Sequence, residues 1–326
     1  MRICSLFTLA IVIPAFASAA ELELVQTIPL QGKAGGLDHL ALDSKRDRLL
    51  VANKANNTLD VVDLKAGSLL KQVPNQTGIQ GIAYAPDVDR IFVGLGANGL
   101  CNVFDGESYK IVKTIKFADD ADNVRYNPKT KLAYVAHAEN SLAVISARTN
   151  TLKTDIKLSA SAEAFVLEEN RPRLYVTTPS PCQVIVIDTD KNEILATYPV
   201  KAASNSHPIA LDETNHRVYL GCRKEPMIVI LDTETGKEIG SVPIPGGVDD
   251  VYLDSARKRL YASCGEGFFV VFKVLDADHL EQVEKIPTAR GASTCLYLPE
   301  TGRLYLAVPR QEGKDGPEIR VYQAKP

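Results

Sequence analysis

The sequence predicts an all-β protein, a seven-bladed β-propeller with four antiparallel strands per blade, and three observations carry that prediction. A bulky residue within a short strand recurs at Leu50, Phe92, Tyr134, Tyr175, Tyr219, Tyr261 and Tyr305, in steps of 42, 42, 41, 44, 42 and 44 residues. A period of about 40 to 45 residues built from short strands is the sequence pattern of a propeller blade. Each repeat contains a strand, a polar turn and a second strand, seen most plainly in HPIALDETNHRVYLGC, His207 to Cys222. The last repeat stops after its third strand, EIRVYQA, while a lone strand, ELELVQTIPL (Glu21 to Leu30), precedes the first repeat. Placed as the fourth strand of blade seven, it would close the ring and cover an exposed edge.

Residues 1–20 read as a secretory signal peptide. Arg2 precedes an apolar run from Ile3 to Phe16, and Ala17, Ser18, Ala19 and Ala20 offer a small-residue cleavage site after Ala19 or Ala20. The run is shorter than the roughly 20 apolar residues of a spanning helix, and no later segment approaches that length. Cys4 stands at the front of the run, where a lipoprotein cysteine would not. The chain is therefore expected to be exported, to the periplasm or the medium, without a membrane anchor. Residues 21–326 are expected to form a single domain, with blade one from Leu37 to Gly78, two from Ile79 to Asp120 and three from Ala121 to Ala160. Blade four follows from Ser161 to Ser206, five from His207 to Gly247, six from Val248 to Gly291 and seven from Ala292 onward. The Asp-, Gly- and Thr-rich segments DGES, DTDKNE and DTETGKE supply the tight third-to-fourth-strand turns.

Composition narrows the partners. Without Arg2 the chain holds 36 Lys+Arg against 40 Asp+Glu, and a mildly acidic chain with no basic run has no general attraction for nucleic acid or anionic membrane. Five cysteines follow residue 20, at 101, 182, 222, 264 and 295; none forms CxxC or CxxCH, so neither a zinc knuckle nor haem attachment is indicated, and their odd number leaves at least one thiol unpaired. They read as buried small apolar residues. Cys222 and Cys264 hold equivalent positions on adjacent blades, where packed sheets sit about 10 Å apart, too far for a bridge whose Cα atoms must lie within about 7 Å.

The tetrads starting at the aligned positions are LVAN, FVGL, YVAH, YVTT, YLGC, YASC and YLAV, each preceded nearby by Arg or Lys. With the period, they make the chain similar to the YVTN-repeat, or YncE-like, family of seven-bladed propellers. The resemblance covers essentially all of residues 21–326 and implies the fold; Cys222, Cys264 and Val308 depart from the tetrad's fourth position. The sequence has no Trp, so the WD dipeptide of WD40 repeats is absent.

Chemistry is expected at the mouth where the first strand of each blade begins. Residues twelve before the aligned positions are Asp38, Gln80, Asp122, Glu163, His207, Asp249 and Ser293, polar seven times of seven. Two residues further in, the register reads Leu40, Ile82, Val124, Phe165, Ile209, Val251 and Cys295, an apolar set expected to mark where solvent ends. Polar strand starts cap turns in any propeller. The functional alternative is a ligand pocket formed by Asp38, His39, Asp122, Glu163, His207, Asp249 and Asp250, with Asn123 and the second-strand ends Asn53, His137, Cys222 and Cys264 on the same face. Several carboxylates together favour a small polar or cationic ligand or a protein partner, bound by an exported, non-enzymatic monomer. The rival is a hydrolase or lyase, since similar propellers of the lactonase type hold a carboxylate-bound divalent metal in the channel mouth. No cofactor is indicated beyond such a divalent cation, for which His207, Asp249, Asp250 and Cys222 are the densest group. Other features weigh less. His216 lies in a turn on the opposite face, and His279 in a loop. GLGANG, Gly94 to Gly99, joins two strands where a dinucleotide site needs a strand followed by a helix. Asn56 and Asn75 head sequons, and Pro309 to Pro317 forms a charged loop on the mouth face.

Overall fold

The computed structural model describes residues 20–138 and 140–325; residues 1–19 of the expected signal peptide lie outside them. Among the described residues every element is a strand, and the strands form seven four-stranded antiparallel sheets. The inner strands are Leu40–Asp43, Ile79–Ala85, Ala121–Asn127, Phe165–Leu167, Ser204–Asp212, Val248–Asp254 and Cys295–Leu298 for blades one to seven. In blades one to six the sheet order follows the sequence, as expected for hairpin-linked strands. GLGANG is such a hairpin, linking Arg90–Leu95 to Leu100–Asp105 with Gly99 at φ +63°. His279 departs from the loop assignment: it starts an outer strand, His279–Pro287, exposed and bonded to Asp276. No described helix is long and apolar enough to cross a membrane.

Blade seven is completed as expected. Leu22–Pro29 pairs antiparallel with Glu318–Ala324, from Leu22 opposite Ala324 to Pro29 opposite Glu318. The strand joins two blade interfaces at once: Leu22 packs among Tyr261, Phe269 and Leu306 between blades six and seven, and Ile28 among Leu49, Val62 and Ile319 between seven and one. Glu21 adds an ion pair to Arg259 of blade six. Each remaining interface has its own core of the same kind, so the fold consists of seven inter-blade cores around a channel. The second strands are buried on both faces, which is why LLVA and LYLAV read as continuous apolar runs, whereas the solvent-facing outer strands mix charge with apolar residues.

The turns after the inner strands carry a repeated device. The residue before the second strand is left-handed in six blades, at Asp47, Asp89, Lys131, His216, Lys258 and Gly302. A buried acid at the end of the inner strand, or just after it in blade four, pairs with an arginine three residues on: Asp43 with Arg46, Glu168 with Arg171, Asp254 with Arg257. Arg46 continues to Asp89 of the next blade, and Asp254 is also bonded by Tyr297 of blade seven. Buried acids are thus matched by charge and hydrogen bonds at this end, as burial requires.

Candidate functional site

The opposite end holds the polar ring, and the backbone explains its exposure from the ladder. In blades two, three, five and six the inner strand is bulged where the ring falls: pairing skips from Ile79↔Leu95 to Ile82↔Val93, and likewise past Asp122, His207 and Asp249. A bulge releases residues from pairing and re-aims their side chains. In blades one and four the strand begins only at Leu40 and Phe165, with isolated bonds from Asp38 N to Ala52 O (2.8 Å) and from Glu163 N to Thr177 O (2.9 Å) leading into it.

The ring is not an unbalanced set of carboxylates. Asp38 meets Lys54 Nζ at 3.3 Å, and Lys54 also donates to Gln80, which donates to Asp120. Glu163 faces His207 Nδ1, whose Nε2 side contacts Asn205 Oδ1 at 2.8 Å. Asp249 is held by Arg223 and accepts from Ser293 Oγ at 3.0 Å. Burial works to raise the Glu163 carboxyl, but His207 and Arg223 more than offset it and hold it below its usual range. Burial raises Asp38 in spite of Lys54. Asp122 and Asp250 lack a basic contact, and both are pushed well above the usual carboxylate range, first by burial and then by neighbouring carboxylates. Asp250 is 5% exposed and accepts the Cys295 amide at 2.8 Å.

Inside the ring lies a cavity of about 500 Å³ along the channel. Of the seven sequence-derived candidates, His39, Asp249 and Asp250 line it; Asp38, Asp122, Glu163 and His207 stand around it. The apolar register expected to mark the end of solvent is buried in the inter-blade cores, at Leu40, Ile82, Val124, Phe165, Ile209 and Val251, and these residues also form much of the cavity wall. His39 contacts Asn123 Nδ2 through Nε2 at 3.0 Å, reaching from blade one to blade three. Gly81 stands in the intervening blade, where an added Cβ would meet Asp122 O at 2.1 Å, so this close approach of blades two and three requires glycine. Burial, then Arg125, lowers the His39 imidazole to about 4, leaving it neutral at pH 7.

The second-strand ends do not join this site. Asn53 is buried against Asp60, His137 against Asp155 and stacked on Phe117, and Cys222 and Cys264 sit in inter-blade cores. Side chains here point alternately into the two blade interfaces, so a shared end of a strand does not mean a shared cavity. Among the described residues no cysteine is bridged; Cys101, Cys222, Cys264 and Cys295 are buried and Cys182 is half-buried. Among the described residues no three His, Cys, Asp or Glu side chains come together as a metal-binding group, and His207, Asp250 and Cys222 turn to separate partners.

Arg125 was missed by the ring argument because it lies three residues below the ring position. Its own column reads Ala41, Ala83, Arg125, Val166, Ala210, Tyr252 and Leu296, one charge among apolar and aromatic residues, and that oddity was available in the sequence.

No family model matches the chain, and no curated protein matches it. Among solved structures, a chain of the Mitotic Checkpoint Complex crystal structure superposes with a TM-score of 0.77 at 14% identity, covering 100% of this chain and 99% of that chain. Kuenenia stuttgartiensis hydrazine synthase does so with a TM-score of 0.75 at 17% identity, covering 85% and 94%. At these identities the likeness is one of fold.

Proposed function

We propose that the protein is an exported, non-enzymatic binding propeller of the YVTN-repeat kind, which takes a small polar-headed ligand into the mouth of its channel. The cavity carries this reading: about 500 Å³ of largely apolar wall with a few polar groups, His39, Asn123, Arg125, Asp249 and Asp250, on its lining. A concave apolar site with few polar groups is the usual form of a small-molecule site. A protein partner seated on the mouth face remains compatible with the same groups. The lactonase-like alternative needs neighbouring ligands for a divalent ion, and the separate partners of His207, Asp250 and Cys222 weigh against it.

A ligand found by thermal-shift screening should bind at least ~10-fold more weakly to an Ala83→Leu variant, which narrows the cavity. Undiminished binding in a folded variant would place the site elsewhere, with the Pro309 to Pro317 loop as the next surface to test. Export rests on the pattern of residues 1–20, and cell fractionation decides it; recovery of an uncleaved chain from the cytoplasm would refute it.

A further inference from the structure

We propose, building on the channel as a ligand site, that its ligand is an amphipathic organic acid carrying a hydroxyl or amide donor, with the carboxylate on Arg125, the donor on Asn123 and the apolar body along the channel wall. Among the described residues no carboxylate lies within ion-pair distance of Arg125. Its one hydrogen bond runs from Nη1 to Val124 O at 3.0 Å, and its guanidinium lies 6.0 Å from the Phe165 ring centre. Arg46, Arg171, Arg217, Arg257 and Arg259 all have acidic partners. A half-buried guanidinium with free donors forgoes much of its solvation without the pairing that usually compensates. Its planar fork matches a carboxylate in two-point contact.

Asn123 gives an independent sign at the same wall. It is 3% exposed and lines the cavity, its Nδ2 is engaged by His39, and its Oδ1 has no hydrogen-bond partner. An orphaned buried acceptor is costly unless something donates to it. Asn123 and Arg125 are two residues apart on one strand, Ala121–Asn127, about 7 Å apart along it, and both line the cavity. That spacing suits a carboxylate with a hydroxyl or amide nearby. Beyond this head site, Leu42, Ile82, Phe165, Leu211 and Leu253 give the wall its apolar character. The nearby acids do not contact the fork: Asp249 is held by Arg223, and Asp250, which feels the Arg125 charge, accepts the Cys295 amide.

The test is calorimetric titration of the protein with decanoate, hydroxydecanoate, decanol and decylamine. The acids should bind more tightly than decanol, hydroxydecanoate most tightly, and decylamine most weakly. Arg125→Gln should weaken the acids roughly 10- to 100-fold, the size of a lost charge-assisted contact, and leave decanol unchanged, with Arg125→Lys in between. Decanol or decylamine binding as tightly as the acids would overturn the acid assignment while leaving the channel as a binding site. So would full acid affinity in Arg125→Gln. If none of the four probes binds, the acid assignment fails, and a loss of affinity in Ala83→Leu for a ligand of another chemistry would still uphold the channel. Comparing the four probes on the unaltered protein decides the question even if a variant folds poorly.

Discussion

Two aspartates on one strand show how differently the two ends of this propeller are built. Asp250 and Asp254 both belong to the inner strand of blade six, Val248–Asp254, and are 5% and 2% exposed. Asp254, at the turn, accepts from Arg257 Nη1 at 3.1 Å, from the Arg257 amide at 3.0 Å and from the Tyr297 hydroxyl. Asp250, at the mouth, accepts one backbone amide and has no cation in contact. The same residue type, equally buried, is fully compensated at one end and under-compensated at the other. Stability alone explains the turn end. At the mouth, buried polar groups without partners are a cost that a ligand site explains.

The contrast assumes a closed ring, and breaking closure should have the largest effect. Removing residues 21–30 takes Leu22 and Ile28 out of two interfaces and exposes the edge of Glu318–Ala324. The shortened chain is expected to lose its cooperative urea transition, and a melting temperature equal to the parent's would contradict closure by this strand. Next comes Asp254→Ala. It leaves Arg257 without its carboxylate and the Tyr297 hydroxyl with only Arg257, and removing one member of a buried pair costs about 3 kcal/mol or more. Urea unfolding checks it; a change under about 1 kcal/mol would mean that the turn-end pairs are as dispensable as surface ones.

Asp250→Asn should act in the opposite direction and more weakly. The amide keeps an acceptor for the Cys295 N–H and removes a carboxyl that burial penalises when ionised. Because the folded group sits above its ordinary 3.8, its contribution to stability is fully present below that value and is lost as pH rises through the folded value. The variant should therefore match the parent near pH 3.5 and exceed it at pH 7, by on the order of 1 kcal/mol. A variant less stable than the parent at pH 7 would show that the ionised carboxylate is compensated after all.

The sequence revealed the turn end's architecture better than the mouth's chemistry, for physical reasons. Strand period, the Asp-, Gly- and Thr-rich turns and the displaced fourth strand are local or repetitive signals, so the blades, GLGANG and the closing strand follow from pattern. Ring membership at Asp38, Asp122, Glu163, His207 and Asp249 was equally legible. Which of these carried a partner was not, because Lys54 lies in a turn and Arg223 and Asn205 in extra strand length that blade five adds beyond the repeated register. The apolar column marked the start of blade packing, as its burial shows, but not the cavity beside it, because around a channel one apolar side chain can serve both.

The smallest effects are expected where the mouth is already neutralised. Asp249 and Arg223 are partly solvated, as is Glu163 beside His207, and such pairs contribute about 1 kcal/mol or less. Asp249→Asn and His207→Gln should each unfold within about 1 kcal/mol of the parent, well short of Asp254→Ala. Their effects on ligand should separate, because Asp249 lines the cavity and His207 does not. Asp249→Asn frees Arg223 and removes a negative charge near the proposed acid head, so decanoate should bind a few-fold more tightly, opposite in sign to Arg125→Gln. His207→Gln should leave decanoate affinity within about twofold. If His207→Gln instead disrupted binding as strongly as Arg125→Gln, the ring itself would be the ligand site and the paired mouth groups would no longer count as its structural frame.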